Sequence, residues 1–566
     1  MGKQELWYTK ETTAGEGGSG CCLYWIDQCI LPKGDYFMRT FSSYGPVNTK
    51  QHYYAPRLEL IELAYRQLLG ETPEEGGHYI TVWAPRQTGK TWIMQEVLAR
   101  FKTLDQFELA ILTMQSAKAE TKAIGIFQIL AKQLSDWFQR PFPVVSEWRD
   151  LSILFSPPYV TRPLILILDE FDAMGEEFIN GFANEFRTIY TGRNNQKDRK
   201  SGEKSCLLHG LALVGVRSVL GIENVTGSPF NVQRSVHIPN LTLAEVVEMF
   251  QWYERESQQT FEAGVIDRIY YEMRGQPGLT CWLGELLTQN YNRNQPVITM
   301  QDFEITYAAA CHLLPNNNVL NLISKAKQEP YKGVIFELFR TNSKFFFRYD
   351  NPHTNYLYMN GIVAPEIEEP TQHYLKFASP FVQKRLFSYF AHELYGRLEL
   401  RLTPFEDLSD TIDDQQLYLP NLLRRYERYL QQNRGWLLQD APRRATDHHI
   451  FEAVFHFNLY YFLLRFLESY RGHVTPEFPT GNGKLDLLIR YAGQRYGIEV
   501  KSFVNLVEYQ RSLTQTADYA HQLGLGEMTL ALFIEAVDDD NRQRYEQPYT
   551  APVTGVIVRP VFVVTG

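Results

Sequence analysis

From residue 57 to residue 216 two periodicities alternate along the chain. Four unbroken apolar runs, HYITVWA (78–84), ELAILTM (108–114), LILILD (164–169) and GLALVGV (210–216), are separated by stretches with helical spacing of apolar residues. These fall at 57–69, from Lys90 onward, near 119–139 and near 175–190. A strand that is apolar at every position needs cover on both faces, so the alternation predicts a parallel sheet with helices on either side. A helix-rich stretch (242–326) follows, then short helices and strands toward residue 395. The last block opens with the apolar helix HHIFEAVFHFNLYYFLLRFLESY (448–470). It continues as three strand candidates, a helix at 507–523 and strands at 528–534 and 554–564. The segment 401–445 begins acidic and turn-rich (PFEDLSDTIDD), passes into a basic helix (NLLRRYERYLQQ) and reads as a linker. Residues 1–56 hold a Gly-rich tract (GEGGSG) to which no chemistry is assigned. The partition is therefore 1–56 extension, 57–240 α/β core, 241–300 helical, 301–400 mixed, 401–445 linker and 446–566 a second α/β domain.

Composition narrows the function classes. The length of 566 residues leaves room for about four domains. A net charge of −9, with 44% apolar and 21% charged residues, excludes both a disordered chain and one that coats nucleic acid with a uniformly basic surface. Six scattered cysteines form neither a disulfide framework nor a zinc pattern, which points to a reducing, cytoplasmic setting. No apolar run approaches the roughly 20 residues of a membrane span, and the polar N-terminus MGKQELWYTK lacks a signal-peptide segment.

The first candidate site lies where the run 78–84 enters APRQTGKT (84–91) and then a helix. Successive backbone N–H groups at such a loop and helix N-terminus converge on phosphate oxygens. Pro85, Arg86, Gln87, Thr88 and Gly89 form the cradle, Lys90 reaches the terminal phosphates and Thr91 offers its hydroxyl to Mg²⁺. Ala84 stands where the full G-x-x-x-x-G-K-[ST] pattern has glycine. LILILDEFD (164–172) supplies the partner, with Asp169 as the Mg²⁺ carboxylate and Glu170 as the general base for an attacking water. ATP or GTP is the expected ligand. Arg217, at the end of the following strand, and Arg234, after another turn, are candidates to sense the terminal phosphate or act as an arginine finger; a surface ion pair is the competing reading for each. Pro277, in MRGQPGL (273–279), is a candidate to close over the base, against a plain helix-breaking turn.

The loop, DEFD, GVRS and RGQPGL in that order resemble the AAA-like ATPases near the archaeal-ATPase and signal-transducing STAND groups. FSSYGPVNTKQHYYAPRLE (41–59) is similar to the lead-in of the bacterial AAA-like family. The resemblance spans 40–395 and implies a P-loop parallel-sheet core, a helical lid and a winged helix, the last carried by YMNGIVAPEIEEPTQHYLKFASPFVQKRLF (358–387). It also implies ATP, Mg²⁺ and a nucleotide-dependent homo-oligomer.

The second candidate site lies in GNGKLDLLIRYAGQRYGIEVKSF (481–503), a hairpin carrying Asp486 on one strand and Glu499 and Lys501 on the next. Period-two alternation puts Glu499 and Lys501 on one face and Ile498 and Val500 on the other. Asp486 and Glu499 are hard oxygen ligands for Mg²⁺ or Mn²⁺, and Lys501 orients or deprotonates a water and offsets phosphate charge. Glu452, on the preceding helix, is expected to add a carboxylate, and Gln515, on the following one, to steady the water. This order of elements with D…E-x-K resembles the PD-(D/E)xK nuclease superfamily, and YQRSLTQTADYAHQLGL (509–525) is similar to the Q-x-x-x-Y helix of members fused to AAA-like ATPases. The implied domain is an α/β restriction-endonuclease-like fold.

The combined expectation is an ATP-hydrolysing regulator of a nuclease acting on nucleic acid, DNA first, in defence or mobile-element biology, with an unidentified protein trigger and no membrane partner. The alternative is a STAND-like signalling or DNA-binding switch whose C-terminal domain binds without cleaving.

Overall fold

The helix α1 (Leu58–Leu69) turns Ile61, Ala64 and Leu68 inward and packs beside the sheet that follows. That sheet is built from β1 (Tyr79–Trp83), α2 (Lys90–Phe101), β2 (Glu108–Thr113), α3 (Ala123–Phe138), β3 (Leu164–Asp169), α4 (Glu176–Asn194), β4 (Leu208–Gly215) and β5 (Arg234–His237). The strand order is β2-β3-β4-β1-β5, and every pair is parallel. β1, β3 and β4 are buried along their whole length because their side chains feed two cores. Ile80, Val82, Ile165 and Ile167 pack with α1 and α2, whereas Tyr79, Leu164, Leu166 and Leu168 pack with α3 and α4. The edge strand β5 escaped the sequence reading because it is only four residues long and reads as polar (RSVH).

This architecture is that of a computed structural model, which describes residues 38–215, 234–339, 345–369, 372–396, 407–444, 448, 450–477 and 485–566, with backbone alone at 368–369 and 485–486. Residues 39–566 form one compact unit.

Beyond the sheet come α5 (Leu243–Ser257), β6 (Thr260–Phe261), α6 (Val265–Met273), α7 (Pro277–Glu285), β7 (Val297–Ile298), α8 (Met300–His312) and α9 (Asn317–Ala326). Thr242 and Thr299 start α5 and α8 with reciprocal capping boxes to Glu245 and Asp302. Then follow α10 (Tyr331–Leu338), α11 (Pro352–Met359), the hairpin β8 (Val363–Glu369) and β9 (Gln372–Phe377), and α12 (Pro380–Tyr395).

The C-terminal elements are α13 (Leu419–Leu437), α14 (Glu452–Glu468), β10 (His473–Glu477), β11 (Leu485–Tyr491), β12 (Gln494–Ser502), α15 (Leu506–Gln522), β13 (Glu527–Ile534), α16 (Asp539–Tyr545), β14 (Tyr549–Thr550) and β15 (Ile557–Val564). They form a six-stranded mixed sheet in the order β10-β11-β12-β13-β15-β14. The two-residue turn between β11 and β12 has positive φ at both Ala492 (49°) and Gly493 (74°), the backbone that matches the twist of a tight hairpin.

The basic helix read as linker belongs to this domain. Leu422, Leu423 and Tyr426 of α13 are buried, Arg424 donates to the Phe562 carbonyl at 2.7 Å, and Glu427 accepts from Arg542 at 2.8 Å and from the Val564 N–H at 3.0 Å. Its amphipathic stripe is what the sheet needs for cover; Arg424 and Arg425, which made it look like a solvated connector, are tied down around its edge.

Candidate functional site

The nucleotide loop sits at the C-terminal edge of β1, where a parallel sheet opens a crevice. Gly89 has φ 89°, the left-handed backbone that favours glycine, so this position needs the residue it has. Ala84 is not among the positive-φ residues and is fully buried, which explains why alanine serves there. Thr88 Oγ1 donates to the Pro85 carbonyl at 3.0 Å, while the Lys90 ammonium bridges the carbonyls of Ala84 (2.8 Å) and Pro85 (2.7 Å). Burial pulls the pKa of Lys90 down to about 8, partly countered by the carboxylates of Asp172 and Asp169.

Two distant segments meet at this loop. Thr91 Oγ1 donates to Asp169 Oδ2 at 2.6 Å, and Asp169 is 9% exposed. This hydroxyl–carboxylate pair fits the hard-oxygen chemistry of a nucleotide-bound Mg²⁺, which Thr91 and Asp169 would hold. Glu170 follows in left-handed backbone (φ 53°), its N–H held by Asp169 Oδ1 at 2.9 Å and its carboxylate by Thr113 Oγ1 at 2.9 Å. Thr113 was missed in the sequence; its only signal is being the polar last residue of β2, the neighbour of β3.

The helical segment beyond the sheet meets the loop through the turn before α7. Gln276 Nε2 donates to the Arg86 carbonyl at 2.8 Å, and the Gly278 N–H donates to the Gln87 carbonyl at 3.0 Å. Gln87 itself has φ 57°, and its side chain donates to the Ser43 carbonyl at 3.1 Å, so lead-in, loop and lid grip one strained residue. Pro277 starts α7 within this contact. Gly278 is required by the approach: a Cβ there would fall 2.5 Å from Gln87 Cβ.

The arginine candidates fare differently. Arg217 lies outside the described residues. Arg234 is not brought to the loop. It opens β5 opposite Ile80, three residues short of the sheet's C-terminal edge, and pairs with Glu71 (2.9 Å) of the connection entering β1 and Gln67 (2.9 Å) near the end of α1. The arginine-finger assignment within this chain is therefore corrected to an ion pair away from the phosphate site.

In the C-terminal domain, Glu499 and Lys501 face α15 and are 2% and 4% exposed. Lys501 donates to Glu499 Oε1 (2.9 Å), Ser512 Oγ (3.2 Å) and Gln515 Oε1 (2.9 Å). Glu499 Oε2 is buried with no hydrogen-bond partner among the described residues. The register sets Asp486 directly opposite Glu499 and opposite Glu477 on its other side. Ser512 was missed; it lies three residues before Gln515 and so on the same helix face.

Glu452 does not join this group, which corrects the sequence reading. It begins α14, whose Val454 and Phe457 share a core with Ile498 and Val500 on the opposite face of the sheet, and it pairs with His456 at 3.5 Å. Sequence places a carboxylate on the helix but cannot say which side of the sheet that helix covers. Among the described residues no set of three or more His, Cys, Asp or Glu side chains could hold a metal. The chemistry fitting a divalent cation there is the bare Glu499 oxygen beside Lys501, with Asp486 at the paired register position.

The fold and the loop together define a P-loop nucleotide-binding domain of the α/β class. Residues 42–301 match the family model described as the AAA-like domain. Among solved structures, the chain is similar to a Walker-type ATPase of Pyrococcus abyssi, with 13% identity, TM-score 0.39, and 62% of this chain and 99% of that chain covered. It is also similar to Pyrobaculum aerophilum Cdc6p (14%, 0.34, 62% and 98%) and to the Aeropyrum pernix ORC1 protein solved in complex with DNA (14%, 0.31, 59% and 92%). No curated protein matches the chain. No helix among the described residues is long and apolar enough to cross a membrane.

Proposed function

We propose that this chain binds and hydrolyses ATP with Mg²⁺ through its AAA-like domain, and that nucleotide state governs a divalent-metal-dependent nuclease in the C-terminal domain, with DNA as substrate. The observation that carries the reading is the 2.6 Å contact of Thr91 with Asp169, which supports a magnesium–phosphate pocket drawn from segments 78 residues apart. Lys90 presents charge to the terminal phosphates, and Glu170, oriented by Thr113, takes a proton from the attacking water.

The cleavage half rests on the C-terminal hairpin. A bound divalent ion supplies electrophilic activation of a phosphodiester and an acidified water. Glu499 would hold it through Oε2 and Asp486 from the opposed position, with Lys501, braced by Ser512 and Gln515, offsetting phosphate charge. Nucleotide-dependent self-association, Mn²⁺ as a substitute metal and a protein trigger belong to the same proposal. One observation favours the second reading, a switch that binds without cutting: Glu452 stands across the sheet from Glu499.

The test incubates the purified chain with plasmid and linear DNA, Mg²⁺ or Mn²⁺, with and without ATP. ATP turnover with nucleotide-dependent cleavage is the expected result. No cleavage in any nucleotide state, or cleavage undiminished by Lys501→Ala, overturns the nuclease half; no ATP binding overturns the whole.

A further inference from the structure

Four charged side chains from three parts of the molecule meet between the two candidate sites, outside the groups assigned to either. Glu272, on α6, is fully buried; its Oε2 accepts from the Tyr307 hydroxyl of α8 at 2.5 Å, and its Oε1 pairs with Arg268 at 2.8 Å. Lys384, on α12 and 5% exposed, reaches Glu272 Oε1 at 3.3 Å and Glu477 Oε2, on β10, at 2.8 Å. Its ammonium also lies 5.0 Å from the centre of the Tyr307 ring. Burial works against charge on Lys384, but Glu477 and Glu272 outweigh it and raise the pKa, so the lysine stays protonated between them. A buried ion pair is weak evidence for stability, because desolvation offsets much of the attraction, but it fixes geometry tightly.

The two ends of this bridge have meaning. Glu272 is two residues before Arg274, where α6 ends in left-handed backbone and the chain enters the turn whose Gln276 and Gly278 bond the carbonyls of Arg86 and Gln87. Glu477 is the last residue of β10 and stands in register with Asp486, which stands in register with Glu499. Only Met273, Arg274 and Gly275 separate Glu272 from the turn on the nucleotide loop, and Lys384 is the buried charge shared between that carboxylate and the strand beside the hairpin.

We infer that Lys384 is a positioning residue that joins the lid's loop-contacting turn to the Asp486–Glu499 hairpin, so that nucleotide occupancy sets the geometry of that hairpin. This rests on the nuclease reading for its purpose, though not for its test. Hydrogen exchange of the full chain is followed in β10 and β11 with and without a non-hydrolysable ATP analogue and Mg²⁺. In the wild type the analogue changes exchange there by about fivefold or more, in the usual range of coupling between sites. In Lys384→Met and in Glu477→Gln that nucleotide-dependent difference disappears, while analogue affinity at the loop is retained. A purely structural staple would alter exchange equally in both nucleotide states, and that result overturns the inference, as does a wild type with no difference. Should Lys384→Met fail to fold, Glu477→Gln decides, because this side chain is only partly buried and the Glu272–Lys384 contact survives. A wild type that shows the exchange difference but cuts no DNA sinks the nuclease reading and leaves the link standing.

Discussion

The two candidate centres are built in opposite ways. The nucleotide pocket gathers four segments, with the loop at 84–91 touching the lead-in at Ser43, the β3 edge at Asp169 and the turn at 276–278. The C-terminal centre is local: one strand and one helix face supply Glu499, Lys501, Ser512 and Gln515, and the carboxylate expected from a more distant helix is absent. A site gathered from many segments responds to relative motion of those segments, whereas a local one needs an external handle such as Lys384.

The sharpest way to break the comparison is at the C-terminal centre. Lys501→Ala is expected to lower DNA cleavage about 10³-fold with ATP affinity unchanged, whereas Glu452→Gln, across the sheet, leaves cleavage within about twofold. A large Glu452 effect in a cleavage assay would show that the centre is not local. Next, Glu170→Gln should slow ATP turnover about 10²-fold while ATP binding persists, read by steady-state hydrolysis beside calorimetric titration.

The pH response of the pocket is smaller and has a definite sign. Lys90 titrates near pH 8 in the nucleotide-free fold, below its ordinary 10.5. The fold thus disfavours that proton, and this penalty is relieved as pH rises from about 8 toward the unfolded value, so the nucleotide-free protein gains stability from this group over that window. ATP phosphates restore the charge, so binding takes up a proton and affinity falls as pH rises through about 8. Titration calorimetry in buffers of different ionisation heat measures the uptake; equal affinity at pH 7 and pH 9 would refute it. Smallest, Gly278→Ala should weaken ATP binding about fivefold by pushing the lid turn off Gln87, checked in the same titration.

Much of this was legible because it is local. Unbroken apolar runs specify strands covered on both faces, and a strand running into PRQTGKT specifies where phosphate chemistry sits, since backbone and side-chain donors there are consecutive in the chain. The face shared by Glu499 and Lys501 follows from strand periodicity alone. Arg234, Glu452 and α13 misled for a common reason: each has a side chain suited to the role assigned, but that role depended on which layer or edge its element occupies.

Sequence by itself therefore determined most of the elements and the parallel sheet, because these follow from periodicity and consecutive spacing. Only the tertiary structure decided which side chains meet. It set Thr91 against Asp169, turned Arg234 to Glu71, put α14 opposite α15 and buried Lys384 between two carboxylates. Contacts of that kind are fixed by packing between layers distant in the chain, and no residue announces its partner across the core.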